Sequence, residues 1–347
     1  MSADLSQLAK YLKLLADTLS FRADYASFCG KKRRILIVEG RTDSSFLEKM
    51  LVPDVVCEVA SNVIRGTISM EMGWGRREAE KFNCKDVIVQ IVRGLATFPP
   101  DFIPNCPRDV ASWDVYGMVD SDYQDPTIFK SVTKLFMTDT SDLETLILST
   151  DGEVLTRIEK LSLKHEEIKK GFTWAYQFAK VRNAMIELLP ENEIQVASLL
   201  ASSREIEYSR FISEENGINV LEMLKYMCVQ GGLSLSREKM RKLCTNIITK
   251  DKYLKKKVDK NTFTWVWADS KGTASDQEDF WNVVNGHTIL NMLKYASRNV
   301  ALYYAGQTGE RLNRQFETEL IGQYDYGKFY STSLFQSMFQ AKLVSYA

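Results

Sequence analysis

The chain has 347 residues and a mass of 39.7 kDa, more than one ordinary hydrophobic core requires, so two domains are expected. Its 45% hydrophobic and 26% charged residues are the composition of a globular protein and exclude a fibre or a disordered tail. The 45 Lys and Arg residues balance the 45 Asp and Glu residues, which excludes indiscriminate nucleic-acid binding by overall charge and confines any such surface to a local patch.

The longest apolar runs, near Ile35 to Val38 and Val87 to Val92, are too short to cross a bilayer, and no signal-type hydrophobic region follows Met1. A soluble, cytoplasmic protein without membrane contact is expected. The six cysteines are widely spaced, with no C-x-x-C pair and only His165 and His287 to join them, so reduced, buried thiols are the default and a cysteine-built zinc module is not.

Residues 1–30 contain Leu5, Leu8, Leu12, Leu15 and Leu19 at alternating steps of three and four, the period of an amphipathic helix. Its leucine face either covers the domain that follows or docks another subunit. Ile35-Leu36-Ile37-Val38 is apolar at every position and reads as a strand buried on both faces, as in a parallel sheet. It ends at Glu39; Gly40 then permits a tight turn, and Thr42 or Asp43 can cap a helix over Ser44 to Leu51.

Val55 to Ala60 predicts a second strand, and Asp114 to Val119 a third, finishing in Asp120-Ser121-Asp122. A fourth strand is expected at Lys134 to Met137 and a helix at Ser141 to Leu148. This alternation predicts an α/β domain over residues 31–150, a parallel sheet with helices on both faces. Residues 151–347 predict a mainly α-helical domain for nucleic-acid binding or dimerisation, with long helical periods at Glu153 to Lys170, Phe172 to Leu189, Val220 to Val229 and Ser236 to Lys257. An isolated strand is expected at Thr262 to Ala268 and a last amphipathic helix at Phe329 to Leu343.

In an open α/β sheet the carboxyl ends of the strands face a shared crevice, so Glu39 can converge with Asp120 and Asp122. Clustered carboxylates repel one another unless a cation compensates them, and Mg²⁺ favours carboxylates, waters and phosphate oxygens. Each acidic residue has a plainer alternative as a cap or turn residue, and Ser141-x-x-Glu144 also fits a capping box. Arg41, at the mouth of the first turn, is placed to meet a phosphate or to lie on the surface.

Val38-Glu39-Gly40-Arg41-Thr42-Asp43, followed by Val119-Asp120-Ser121-Asp122, resembles the TOPRIM pattern of a strand-end Glu with Gly and a later D-x-D. It is similar in particular to the TOPRIM-like nucleases of OLD-type proteins and of the AriB type, the effectors of PARIS anti-phage systems. Thr138-Asp139-Thr140-Ser141-Asp142-Leu143-Glu144 stands where that branch carries a downstream acidic element. The resemblance implies Mg²⁺-dependent phosphodiester cleavage, with Mn²⁺ as the alternative ion. Glu39, Asp120 and Asp122 are then catalytic and, with Glu144, metal-binding, and Asp43 and Asp139 are accessory. It also implies an endonuclease acting on tRNA, a homodimer, and an AriA-like ABC ATPase as restraining partner. The alternative from another class is a non-catalytic TOPRIM scaffold used for assembly.

Residues 236–260 hold ten basic side chains against three acidic ones. Arg237, Lys239, Arg241, Lys242, Lys255, Lys256 and Lys257 are the candidates there for phosphate contact, with nearby aromatic residues offering stacking faces. Asn285-Gly286-His287 loosely resembles a late G-H element of the same branch; His287 is a candidate phosphate contact or proton shuttle, or a helix-start residue with a local bond. Lys271 is a candidate for stabilising a leaving phosphate.

Overall fold

The computed structural model describes residues 5–20, 33–64, 84–121, 132–187, 280–297, 299–300 and 309–346. The chain forms two compact units: residues 1–143 with 325–347, and residues 144–324. The first is α/β and the described part of the second is helical. The last segment of chain thus belongs with the sheet, not with the helical residues that precede it.

The first unit opens with α1 (Leu5–Ser20), whose Leu8, Leu12, Leu15 and Leu19 are buried as their spacing predicts. Among the described residues four strands follow: β1 (Arg33–Val38), β2 (Val55–Val59) after the helix α2 (Arg41–Leu47), and, after α3 (Cys84–Thr97), β3 (Trp113–Val119) and β4 (Leu135–Met137). They pair in the order β2-β1-β3-β4, every pair parallel. The reason is legible in β1: Ile35 and Ile37 enter one core with α1 and α3, while Leu36 and Val38, on the opposite face by strand alternation, are equally buried.

The leucine face of α1 lies against α3 and the sheet core, so it covers its own domain. Two glycines allow these layers to approach. A Cβ at Gly117 in β3 would stand 2.4 Å from Ile88 Cγ2 of α3, and one at Gly94 of α3 would stand 2.5 Å from Leu8 Cδ2. Among the described residues α2 packs on β1 and β2.

The second unit begins within α4 (Leu143–Thr150). The period beginning at Glu153 predicts a helix, but the chain turns there. Asp151, fully buried, pairs with the Arg157 guanidinium, which also donates to the Gln323 carbonyl at 3.0 and 3.2 Å. Ser162 is left-handed, at φ 45°, which stops helical propagation. Helix α5 (His165–Glu187) starts only after Lys164 N–H donates to the Glu167 carboxylate at 2.9 Å. Among the described residues it is followed by α6 (Phe280–Val283), α7 (Gly286–Ala296) and α8 (Gly309–Gln323). Gly171 lets α5 meet α7 closely: a Cβ there would be 2.7 Å from Leu293 Cδ2.

The terminal helix expected at Phe329 to Leu343 is shorter, α10 (Ser333–Gln340), and follows the short α9 (Tyr326–Phe329); Thr332 caps α10, its hydroxyl accepting from Phe335 N–H at 3.1 Å. The tail then bonds the β1–β2 connection: Val52 N–H donates to Leu343 carbonyl at 3.0 Å and Ser345 N–H to Met50 carbonyl at 2.8 Å. Among the described residues no helix is long and apolar enough to cross a membrane.

Candidate functional site

In the order β2-β1-β3-β4 the chain runs outward from β1 to β2, then crosses back to β3 on the other side of β1. The carboxyl ends of β1 and β3 therefore flank a topological switch point, the place where open α/β sheets form ligand crevices. Glu39 follows β1 directly and Asp120 follows β3 directly. Register pairs Ile37 with Gly117, so the two acidic residues leave the sheet one step apart.

They meet there: Glu39 Oε1 accepts the backbone N–H of Asp120 at 2.8 Å. Both residues are half-buried. The turn after β3 is tied down on its other side. Ser121 N–H donates to Thr138 Oγ1 at 3.0 Å, and both Ser121 Oγ and Thr138 Oγ1 donate to the Thr140 carbonyl, at 2.5 and 2.7 Å.

A third group was not visible in the sequence. Lys85, in the first turn of α3, is 2% exposed, and its Nζ donates to the Asp120 carbonyl at 2.5 Å and to the Ser121 carbonyl at 3.4 Å. Buried lysines are rare and need partners. The signal that could have found it is its neighbourhood: Val87, Ile88, Ile91 and Val92 fix the apolar face of α3.

The accessory acids have local duties. Asp43 accepts from Gly40 N–H at 2.8 Å, closing the turn between β1 and α2. Asp139 accepts from Ser333 N–H at 2.6 Å and Leu334 N–H at 3.0 Å, so its carboxylate caps α10. Burial pushes the Asp139 carboxyl above its usual range, against the two backbone donors that pull it down. Arg41 is exposed in the first turn of α2. It lines, with Ser44, Glu48, Cys57, Glu58 and Asn62, a groove of about 600 Å³ along α2 and β2. Burial pushes the Cys57 thiol up to about 12, so it is protonated at neutral pH.

Glu144 belongs to the second unit. It stands with His287 and Glu317, one ligand atom from each lying within 4.8 Å of the other two. His287 Nδ1 is 2.9 Å from Glu317 Oε1, and its backbone N–H donates to the Asn285 side chain at 3.0 Å, the N-cap of α7. Glu144 and His287 are candidates by sequence; Glu317, an acidic residue in a helix rich in charge, carries no such signal. Asp122, Lys271 and the basic residues Arg237, Lys239, Arg241, Lys242, Lys255, Lys256 and Lys257 lie outside the described residues, as do the helices expected over 220–257 and the strand expected over 262–268.

No family model matches the chain, and the comparisons with curated proteins and with solved structures found no match.

Proposed function

We propose that the chain is a Mg²⁺-dependent phosphodiester hydrolase, an endonuclease of the TOPRIM type that its V-E-G and D-x-D segments resemble. The observation that carries this reading is the meeting of Glu39 with Asp120 at the switch point of an all-parallel sheet. The donor set fits the ion: Glu39 and Asp120 offer carboxylate oxygens only, the ligands that hard Mg²⁺ selects, with Mn²⁺ as a substitute. The D-x-D spacing adds Asp122 as a further oxygen donor. When bound, the ion supplies charge neutralisation and polarisation at the scissile phosphate.

The chain's own residues do the positioning. Glu39 holds the Asp120 backbone in place through the 2.8 Å bond. Lys85 anchors the same turn from beneath through two carbonyls. Asp43, by closing the Gly40 turn, fixes the direction in which Glu39 leaves β1.

The substrate class in this proposal is tRNA, and the setting is anti-phage defence, as a homodimer restrained by an AriA-like ABC ATPase. The local excess of basic residues at 236–260 supports a nucleic-acid substrate. The test is cleavage of tRNA and of duplex DNA by the full chain with Mg²⁺, beside Glu39→Gln and Asp120→Asn. Cleavage of tRNA by the parent chain alone is expected. Equal behaviour of all three chains, whether as cleavage or as its absence, removes the site, and DNA cleavage without RNA cleavage removes the substrate class.

A further inference from the structure

The second unit holds a set of side chains that the hydrolase reading leaves unused as a set: Glu144, His287 and Glu317. They come from three different helices, α4, α7 and α8. Glu144 and Glu317 occupy buried positions where an apolar residue is the structural default, and His287 is half-buried. Glu144 is flanked by Leu143, Leu146 and Ile147, His287 by Ile289 and Leu290, and Glu317 by Phe316, Leu320 and Ile321, all buried. Glu144 is 6% and Glu317 5% exposed. Ionisable groups are seldom placed so deeply without a specific use.

The geometry points to a divalent transition-metal site in the second unit, with one imidazole nitrogen and two glutamate oxygens as its protein ligands; we propose that it takes a borderline ion of the Zn²⁺ class. The convergence of the donors within 4.8 Å of one another carries the proposal. Ligands at roughly 2.1 Å from one ion stand at most about 4 Å apart, so the donors need to close by less than about an ångström. An imidazole in the set favours Zn²⁺, Co²⁺ or Fe²⁺ over Mg²⁺, which separates this site in chemistry from the all-oxygen pair Glu39 and Asp120.

The imidazole is already oriented. Its helix start is fixed by the Asn285 cap, and Nδ1 stands 2.9 Å from Glu317 Oε1, a separation that two ligands of one ion can have. The site acts as a staple: one ion ties α4, α7 and α8 together, so binding is coupled to the folding of this unit. No catalytic step is assigned to it.

The probe is Co²⁺, whose visible d–d absorption reports nitrogen and oxygen ligation, added to the full chain carrying Glu39→Gln so that the first site is silenced. One Co²⁺ per chain, with a rise in melting temperature, is expected. His287→Gln and Glu317→Gln in the same background are expected to weaken Co²⁺ binding by roughly a hundredfold or more. The chain contains two histidines, and His165 is exposed, which provides a readout independent of core substitutions. In His165→Gln, the remaining imidazole signal in the proton spectrum should move far outside its usual range on adding Co²⁺. An unshifted imidazole, no Co²⁺ uptake, or unchanged uptake by the folded His287→Gln chain each overturns the site.

Discussion

Glu39 and Asp120 lie 81 residues apart in sequence, and the side chain of the first accepts the backbone N–H of the second at 2.8 Å. This one bond joins the ends of two neighbouring parallel strands. It makes Glu39 both a brace and a candidate ligand, two roles that substitution separates. Glu39→Gln keeps an acceptor for Asp120 N–H and removes the charge. It should fold with stability within about 1 kcal/mol of the parent, and lose divalent-ion binding and hydrolysis. Glu39→Ala removes the acceptor as well and should cost a further ~1–3 kcal/mol, read as a lower denaturant midpoint.

Lys85 is a positioning residue, acting through the carbonyls of Asp120 and Ser121. Lys85→Met keeps the aliphatic stem and deletes the ammonium. Leaving those carbonyls without their donor should destabilise the chain by about 1–3 kcal/mol. The Mg²⁺ concentration for half-maximal cleavage should rise because the Asp120 turn loosens. A purely structural Lys85 would lower the denaturant midpoint and leave the Mg²⁺ dependence unchanged.

Asp139 is expected to behave as a helix cap. Both its oxygens bond the first turn of α10, so Asp139→Ala should cost roughly 0.5–2 kcal/mol in a chemical-denaturation measurement. Cleavage per folded molecule should be retained at a temperature where the variant is fully folded.

Gly117→Ala should destabilise by about 1–3 kcal/mol, because the added methyl meets Ile88 at 2.4 Å and Val92 at 3.1 Å in an already filled interface. Pairing it with Ile88→Ala, which removes the opposing Cγ2, should cost less than the sum of the two single losses. Strictly additive losses in the double variant would contradict the packing account.

Tyr116 gives the fold an alkaline limit. Burial, and then the hydrogen bond from its hydroxyl to Asp114 at 2.9 Å, push the phenol up to about 12. Below the ordinary tyrosine value of about 10 the phenol is neutral in both states and its contribution is complete. As pH rises from about 10 through about 12, the unfolded chain ionises first and that contribution is lost. Denaturant midpoints should therefore fall less steeply with pH in Tyr116→Phe than in the parent over that interval.

The sheet was legible because its signal is local. Ile35 to Val38 can be apolar throughout only where both faces of a strand are covered, and the burial of all four residues follows. The meeting of Glu39 with Asp120 needed one further rule, that parallel strands present their carboxyl ends to one side. Lys85 was hidden because a lysine in a first helical turn normally reaches solvent; what buries it is a turn that arrives 35 residues later. Glu317 was hidden for a similar reason, since its partners come from two other helices. The segment after Glu153 misled through its helical period: the pairing of Asp151 with Arg157 and the left-handed Ser162 outweigh that period, and neither is a pattern of spacing.

Calorimetric titration of the full chain with Mg²⁺, repeated on Glu39→Gln and on Asp120→Asn, examines the proposed ion site without requiring a substrate. Saturable binding in the parent, lost from both folded variants, is the predicted result. An isotherm identical in all three chains, or no heat of binding in the parent, contradicts it.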